Sequence, residues 1–283
     1  MTVPKHVGVV GGGRMGAGIA QVFAALGSTV VIAEADDQTA GMGGVTTGLA
    51  RAHELGKLTG DPTEIAARVS TVAGPEDLPA DLDLVVEAVP EIPSLKVEVL
   101  ALIDKIAGPG TVIASNTSSI SIAELGAALS DPSRFIGMHF FNPVPASTLV
   151  EIVRSPATAP AVVLRVQEWV SLLGKTDVLV NDSPGFATSR LGVMLGLEAI
   201  RMLEEGVADA ESIDRAMELG YKHPMGPLRS TDLVGLDVRL AIAEHLASTL
   251  GERFTPPQLL RDKVARGELG RKSGMGFHDW ESK

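Results

Sequence analysis

The sequence predicts two folds in succession: an α/β domain built around a parallel, doubly wound sheet, then an all-helical domain. Three observations carry that expectation. Short apolar, β-branched runs alternate with helix-compatible stretches from residue 6 to residue 180. The first of these runs leads straight into a Gly-x-Gly-x-x-Gly turn. Beyond Asn181-Asp182-Ser183-Pro184-Gly185, helix follows helix with no further convincing strand. That polar, turn-forming stretch is the expected boundary, dividing the chain into residues 1–183 and 184–283.

In chain order, residues 6–10 (HVGVV) read as a strand buried on both faces. Gly11, Gly13 and Gly16 follow, then a helix-compatible stretch from Ala17 to Leu26, closed by Gly27. Each glycine has a physical task here: Gly11 makes the tight turn, Gly13 lets a pyrophosphate approach the backbone, and Gly16 lets helix and strand pack closely. The helix N-terminus supplies N–H donors and a partial positive charge. A second strand, Thr29 to Ala33, ends on Glu34, a carboxylate placed to take ribose hydroxyls and to repel a 2′-phosphate. A glycine-rich turn alone is a weak signal; in this context it points to a dinucleotide, NAD rather than NADP. Residues 39–68 read as helical and lead to a strand at Val69–Ala73. Strands at Leu84–Val86 and Thr111–Ala114 flank a helix from Leu95 to Ile106. A helix from Ile122 to Leu129, a strand at Phe135–Met138, a helix from Ala159 to Leu173 and a strand from Thr176 to Val180 complete the domain.

At 283 residues with 45% hydrophobic content, the chain can bury a full core, and no apolar run approaches the length that spans a bilayer. The N-terminal MTVPKHVGVVGGG enters a strand directly and lacks the charged and apolar regions of a signal peptide. There is no cysteine for a disulfide, a thiolate nucleophile or a metal ligand, so a reduced cytoplasm is the expected location. The net charge of −11 argues against nucleic acid and against an anionic membrane surface. An anionic small molecule would need basic side chains gathered near it. Six histidines without close H-x-H or H-x-x-x-H spacing give no metal signal.

The stretch Arg134–Arg154, RFIGMHFFNPVPASTLVEIVR, concentrates the candidate chemistry. His139 ends one apolar strand, a proline-rich turn follows, and Glu151 lies in the middle of a second strand able to double back beside the first. A histidine and a carboxylate so placed make a general base and the group that orients it. Ligands of doubly wound sheets sit at the carboxyl ends of strands. Glu91, Ser118 and His139 each fall just beyond one. Ser118 belongs to the cluster Ser115-Asn116-Thr117-Ser118-Ser119, where Ser118 or Ser119 is also a candidate helix cap. Arg51 and Lys57 are the only basic residues between Gly44 and Ile65; each alone reads as surface charge, and together they are the nearest partners for an anionic substrate over that helix. In the second domain Leu191–Leu197 is apolar nearly all round, which suggests burial against a second subunit, hence a homodimer, or burial between the two domains.

Eight segments, in order across nearly the whole chain, carry a resemblance: GGGRMGAGIA, EAVPE with Leu95-Lys96, SNTSSI, HFFNPVP with Glu151, DSPGF, HPMGP, DLVGLD and LGRKSGMGF. Together they closely resemble the monofunctional, NAD-dependent L-3-hydroxyacyl-CoA dehydrogenases, including the bacterial 3-hydroxybutyryl-CoA enzymes. The resemblance implies a Rossmann-like domain followed by an all-α dimerisation domain. The reaction it implies is reversible hydride transfer between NAD and C3 of a short-chain acyl-CoA. It implies His139 as general base with Glu151 as partner, Ser118 as the hydroxyl that bonds the substrate oxygen, and Asn116 in the nicotinamide pocket. Glu34 stands at the ribose where the family usually has Asp, Glu91 and Lys96 are further NAD contacts, and Met15 belongs to the dinucleotide-binding segment. Asn142 is placed with the substrate, and Arg51 and Lys57 are the candidates for the CoA phosphates.

One position departs from the pattern. The family's Gly-Phe-x-x-Asn-Arg is here Gly185-Phe186-Ala187-Thr188-Ser189-Arg190, so Ser189 replaces a third polar group of the family's active site. Serine is shorter and offers one hydroxyl instead of an amide, so it reaches the substrate oxygen or His139 through a water or loses that role. Ser189 and the sparse basic residues leave a free hydroxy acid or dicarboxylic acyl-CoA as an alternative substrate, and a separate alternative is an NAD-binding dimer whose site has drifted from catalysis. His278 stands where an aromatic is usual.

Overall fold

The computed structural model describes residues 2–281, and the chain separates between Ser183 and Pro184 into two units, Met1–Ser183 and Pro184–Lys283, each with its own apolar core. The first unit is built on one eight-stranded sheet. Its strands are β1 (His6–Val10), β2 (Thr29–Ala33), β3 (Val69–Val72), β4 (Leu84–Glu87), β5 (Val112–Ser115), β6 (Phe135–Phe140), β7 (Leu149–Arg154) and β8 (Thr176–Asn181). They lie in the order β3-β2-β1-β4-β5-β6-β7-β8. From β3 to β6 every pair is parallel; β7 runs antiparallel to β6, and β8 runs parallel to β7. The helices of this unit are α1 (Arg14–Leu26), α2 (Gln38–Glu54), α3 (Pro62–Ala66), α4 (Pro93–Ile106), α5 (Ile122–Gly126) and α6 (Pro160–Leu172).

The continuous apolar runs have a simple cause: β1, β4, β5 and β6 are buried at nearly every position, as strands covered on both faces must be. The strand order reverses at β1, which has β2 on one side and β4 on the other, and such a reversal opens a crevice at the carboxyl ends. The predicted helix over residues 39–68 is two helices. Gly56 (φ 64°) and Gly60 (φ 102°) take left-handed conformations that no helix continues through, and Asp61 then caps α3 by accepting from the Thr63 and Glu64 N–H groups.

The second unit holds α7 (Thr188–Glu204), α8 (Ala210–Gly220), α9 (Pro227–Val234), α10 (Leu236–Leu250) and α11 (Gln258–Ala265). They pack around Val193, Leu197, Ile200, Leu228, Leu246 and Phe254. Among the described residues of this unit, extended pairing is limited to isolated bridges at Gly270–Met275 and Met275–Asp279. Asp209 caps α8 by accepting from Ser212 N. Two buried carboxylates organise the tail: Asp214 accepts from the first N–H groups of α9, at Leu228 and Arg229, and Asp232 accepts from Phe277 N, His278 N and Trp280 Nε1. The His278 ring lies 2.8 Å from Asp214, so the residue in the usual aromatic position belongs to this polar cluster. On α7 the faces differ: Val193, Gly196, Leu197 and Ile200 are buried, and Leu191 is 70% exposed.

Candidate active site

The antiparallel return of β7 makes the central pair. Its register sets Glu151 directly opposite His139, and cross-strand partners share a sheet face. His139 Nδ1 lies 2.9 Å from Glu151 Oε2, with the histidine side chain 9% exposed and the carboxylate fully buried. An ionised carboxylate only accepts, so Nδ1 carries the hydrogen and Nε2 is the ring's basic atom. The Phe141 ring packs at 4.4 Å from the imidazole, tilted by 47°. Asn116 Oδ1 accepts from Phe140 N at 2.9 Å, which ties the end of β5 to the residue after His139 and fixes which way the amide points.

A second cluster fills the ends of β4 and β5. Glu91 Oε1 accepts from Thr117 Oγ1 (2.6 Å), Ser118 N (2.8 Å), Ser118 Oγ (3.2 Å), Ser119 N (3.2 Å) and Ser119 Oγ (3.3 Å). The helix cap weighed for Ser118 or Ser119 belongs to Ser121, whose hydroxyl accepts from Glu124 N. Lys96, expected as an NAD contact, is 1% exposed. Its three ammonium hydrogens face three protein oxygens: Glu87 Oε1 at 2.6 Å, the Val89 carbonyl at 3.1 Å and Glu91 Oε2 at 3.3 Å. A buried ammonium must be so paired, because leaving it unpaired costs far more than one hydrogen bond. In this structure Lys96 therefore holds Glu87 and Glu91. Burial pushes the Glu87 carboxyl above its ordinary range, and the Lys96 ammonium and Ser115 hydroxyl only partly counter it. Burial pushes Glu91 up as well, but Lys96 and the bonds from Thr117 and Ser118 outweigh it and hold that carboxyl below the usual carboxylate range.

The glycine turn has the geometry a dinucleotide needs. Gly11 sits at φ 100°, in the left-handed region, and a Cβ on Gly16 would lie 1.8 Å from the Gly11 carbonyl oxygen. A Cβ on Gly13 would meet nothing within 4 Å, which leaves room for a phosphate against the backbone. The N-terminus of α1 carries no side-chain cap, so its first N–H groups point outward beyond Gly13, with half-exposed Met15 in its first turn. Glu34, just past β2, accepts from Gly12 N (2.5 Å) and Asp36 N (3.1 Å) and braces the turn from the side where a ribose belongs. These residues fit NAD.

Between α1, α2 and the loop 142–146 lies a cleft of about 440 Å³. Arg51, Lys57 and Asn142 line it, so these three predicted substrate residues come together. Sequence reasoning missed Arg14, which joins Arg51 and Lys57 there; its signal was a cation inside an otherwise small and apolar glycine turn. It also missed Lys175, whose ammonium donates to the carbonyls of Val144 (2.6 Å) and Ser147 (2.5 Å) and pins the loop that walls the cleft. The third omission was Glu87, a carboxylate closing an otherwise apolar strand.

The N-terminal unit matches the family model for the 3-hydroxyacyl-CoA dehydrogenase NAD-binding domain over residues 6–183, and the C-terminal unit matches that family's C-terminal domain over residues 185–280. The chain belongs to the 3-hydroxyacyl-CoA dehydrogenase family. Among its relatives, a probable 3-hydroxybutyryl-CoA dehydrogenase of Deinococcus radiodurans is 44% identical over 276 residues, covering 96% of this chain and 99% of that one. The crystal structure of Mycobacterium tuberculosis FadB2 superposes with a TM-score of 0.93 at 42% identity, covering 98% of this chain and 99% of the other. That of (S)-3-hydroxybutyryl-CoA dehydrogenase PaaH1 from Ralstonia eutropha gives 0.92 at 42% identity, covering 99% and 100%. The family's NAD-binding domain is thus the sheet unit that holds His139, Glu151, Ser118 and the glycine turn. Ser189 lies in the first turn of α7, in the helical unit. Among the described residues no cluster of His, Cys, Asp or Glu is arranged to hold a metal ion, and no helix is long and apolar enough to cross a membrane.

Proposed function

We propose that this protein interconverts a short-chain 3-hydroxyacyl-CoA, of the 3-hydroxybutyryl-CoA size, and its 3-keto counterpart. The observation that carries the reading is the His139–Glu151 pair, bonded at 2.9 Å at the carboxyl end of β6 in a sheet that also presents the dinucleotide turn. NAD, when bound, supplies the acceptor and donor of the hydride at C3. Gly11, Gly13, Gly16 and Met15 at the α1 N-terminus, with Glu34, Glu91 and Asn116, are the residues that would hold it, and Lys96 supports Glu91.

Loss of hydride from C3 would leave an oxocarbenium-like carbon unless the hydroxyl proton departs in concert. His139 Nε2 takes that proton, and in the reverse direction returns it to the ketone oxygen. Glu151 holds the ring in the required tautomer and stabilises the imidazolium that forms. Ser118 turns its single hydroxyl hydrogen from Glu91 Oε1 to the substrate oxygen and so steadies the charge that develops on it. Arg14, Arg51 and Lys57 face the CoA phosphates and supply, within a chain of net charge −11, the local positive field that an anionic substrate needs. Asn142 lies on the same cleft.

Ser189 favours a second reading, in which the substrate is a free hydroxy acid or a dicarboxylic acyl-CoA. A panel of acetoacetyl-CoA, free acetoacetate and a dicarboxylic 3-ketoacyl-CoA, followed as NADH oxidation, separates the two. The first reading expects turnover of acetoacetyl-CoA and none of the free acid; equal rates would favour the second. We further propose a cytoplasmic homodimer formed through the helical unit, supported by the exposed Leu191 beside the buried face of α7. Light scattering should give twice the chain mass for the native protein, and a monomeric mass would refute the dimer.

A further inference from the structure

Glu87 is fully buried at the end of β4, in register with Val10 of β1 and Ser115 of β5. No step proposed above uses it. An ionisable group in that position needs a reason, since an apolar residue of the same size would fill the space with no charge to desolvate. Its bonds supply one. Oε1 accepts from Lys96 Nζ (2.6 Å) and Val89 N (2.8 Å), and Oε2 accepts from Ser115 Oγ (2.5 Å). Two branches leave this carboxylate. Along one, Lys96 reaches Glu91 Oε2 at 3.3 Å, and Glu91 in turn accepts from Ser118 N and Ser118 Oγ. Along the other, the Ser115 hydroxyl accepts from Thr117 N at 3.2 Å. Both branches end on the loop 117–119.

We propose that Glu87 is a positioning residue for the reaction, fixing Ser118 through Lys96–Glu91 on one side and Ser115–Thr117 on the other. The proposal rests on the reading of Ser118 as donor to the substrate oxygen. A side-chain hydroxyl rotates freely unless its backbone and its other partner are held. Glu91 holds the backbone through Ser118 N and Ser119 N and keeps the hydroxyl's one hydrogen in place until it turns to the substrate oxygen, and Glu91 is itself held by the ammonium that Glu87 anchors.

The test is a double-mutant cycle of Glu87→Gln and Ser118→Ala, read as kcat/KM with acetoacetyl-CoA and NADH, with folding checked by circular dichroism and thermal melting. Ser118→Ala should lower kcat/KM, and Glu87→Gln alone should lower it by about tenfold, within the range of coupled neighbours. In the double variant, Glu87→Gln should change the Ser118→Ala value by less than about twofold, because the group through which it acts is gone. Wild-type activity in Glu87→Gln, or losses that multiply in the double variant, would overturn the inference while the reading of Ser118 stands. Undiminished activity in Ser118→Ala would show instead that the reading of Ser118 had failed, and the inference with it. If Glu87→Gln does not fold, Ser115→Ala cuts only the Oε2 branch and enters the same cycle, with non-additivity supporting the proposal and multiplication refuting it.

Discussion

An imidazole acts as a base only through the nitrogen without a hydrogen, so the residue that decides which nitrogen that is matters as much as the ring. Glu151 makes that choice for His139, buried and 2.9 Å from Nδ1. Glu151→Gln preserves the shape and can present its amide NH2 to Nδ1, which then becomes the acceptor and moves the hydrogen to Nε2. That variant should lose about two to four orders of magnitude in kcat, with NADH binding by fluorescence unchanged. The pair was readable in the sequence as a possibility: a strand ending in His, a turn, and a strand with Glu in its middle. Its register was not, because one residue of slippage would have turned Glu151 to the other face. Glu87 and Lys96 were harder still. Glu87 drew no reading and the resemblance made Lys96 an NAD contact; only the packing of α4 on the sheet makes them a buried pair.

At the scale of elements, two joints carry the site. The β1–α1 turn depends on the contact between Gly16 and the Gly11 carbonyl, where no side chain fits. Gly16→Ala should cost about 1–3 kcal/mol by thermal or denaturant unfolding and should weaken NADH binding, since the turn must open. This joint was fully legible, because its requirements are local to six residues. The second joint ties β4 to the loop after β5 through Glu91. Because that carboxyl is held below its unfolded value, the stability it contributes is fully present above the unfolded carboxylate range. It is lost as pH falls through the folded value. Melting temperatures of Glu91→Gln and the native protein should therefore differ most near neutrality and converge in acid; a gap that persists unchanged at low pH would contradict this. The single helix expected over residues 39–68 failed at the same scale: its apolar spacing hid two glycines, Gly56 and Gly60, whose left-handed backbone only the surrounding structure demands.

At the scale of the whole molecule, a chain of net charge −11 is read as taking an anionic substrate, and the contradiction resolves locally. Arg51 and Lys57 were legible as a pair on one segment, whereas Arg14 is distant in sequence and joins them only because α1 packs on α2 with the Lys175-pinned loop beside them. Arg51→Glu should raise KM for acetoacetyl-CoA by about tenfold with kcat little changed, the signature of lost ground-state binding to a phosphate. Raised salt should weaken the native enzyme in the same direction.

The central claim, that His139 moves the hydroxyl proton, is tested most directly by steady-state NADH oxidation with acetoacetyl-CoA, comparing the native protein with His139→Gln while NADH binding is followed by fluorescence. The account predicts turnover by the native protein and a loss of about two to four orders of magnitude in the variant, with NADH bound equally well by both. A variant that kept more than about a tenth of the native rate would contradict it.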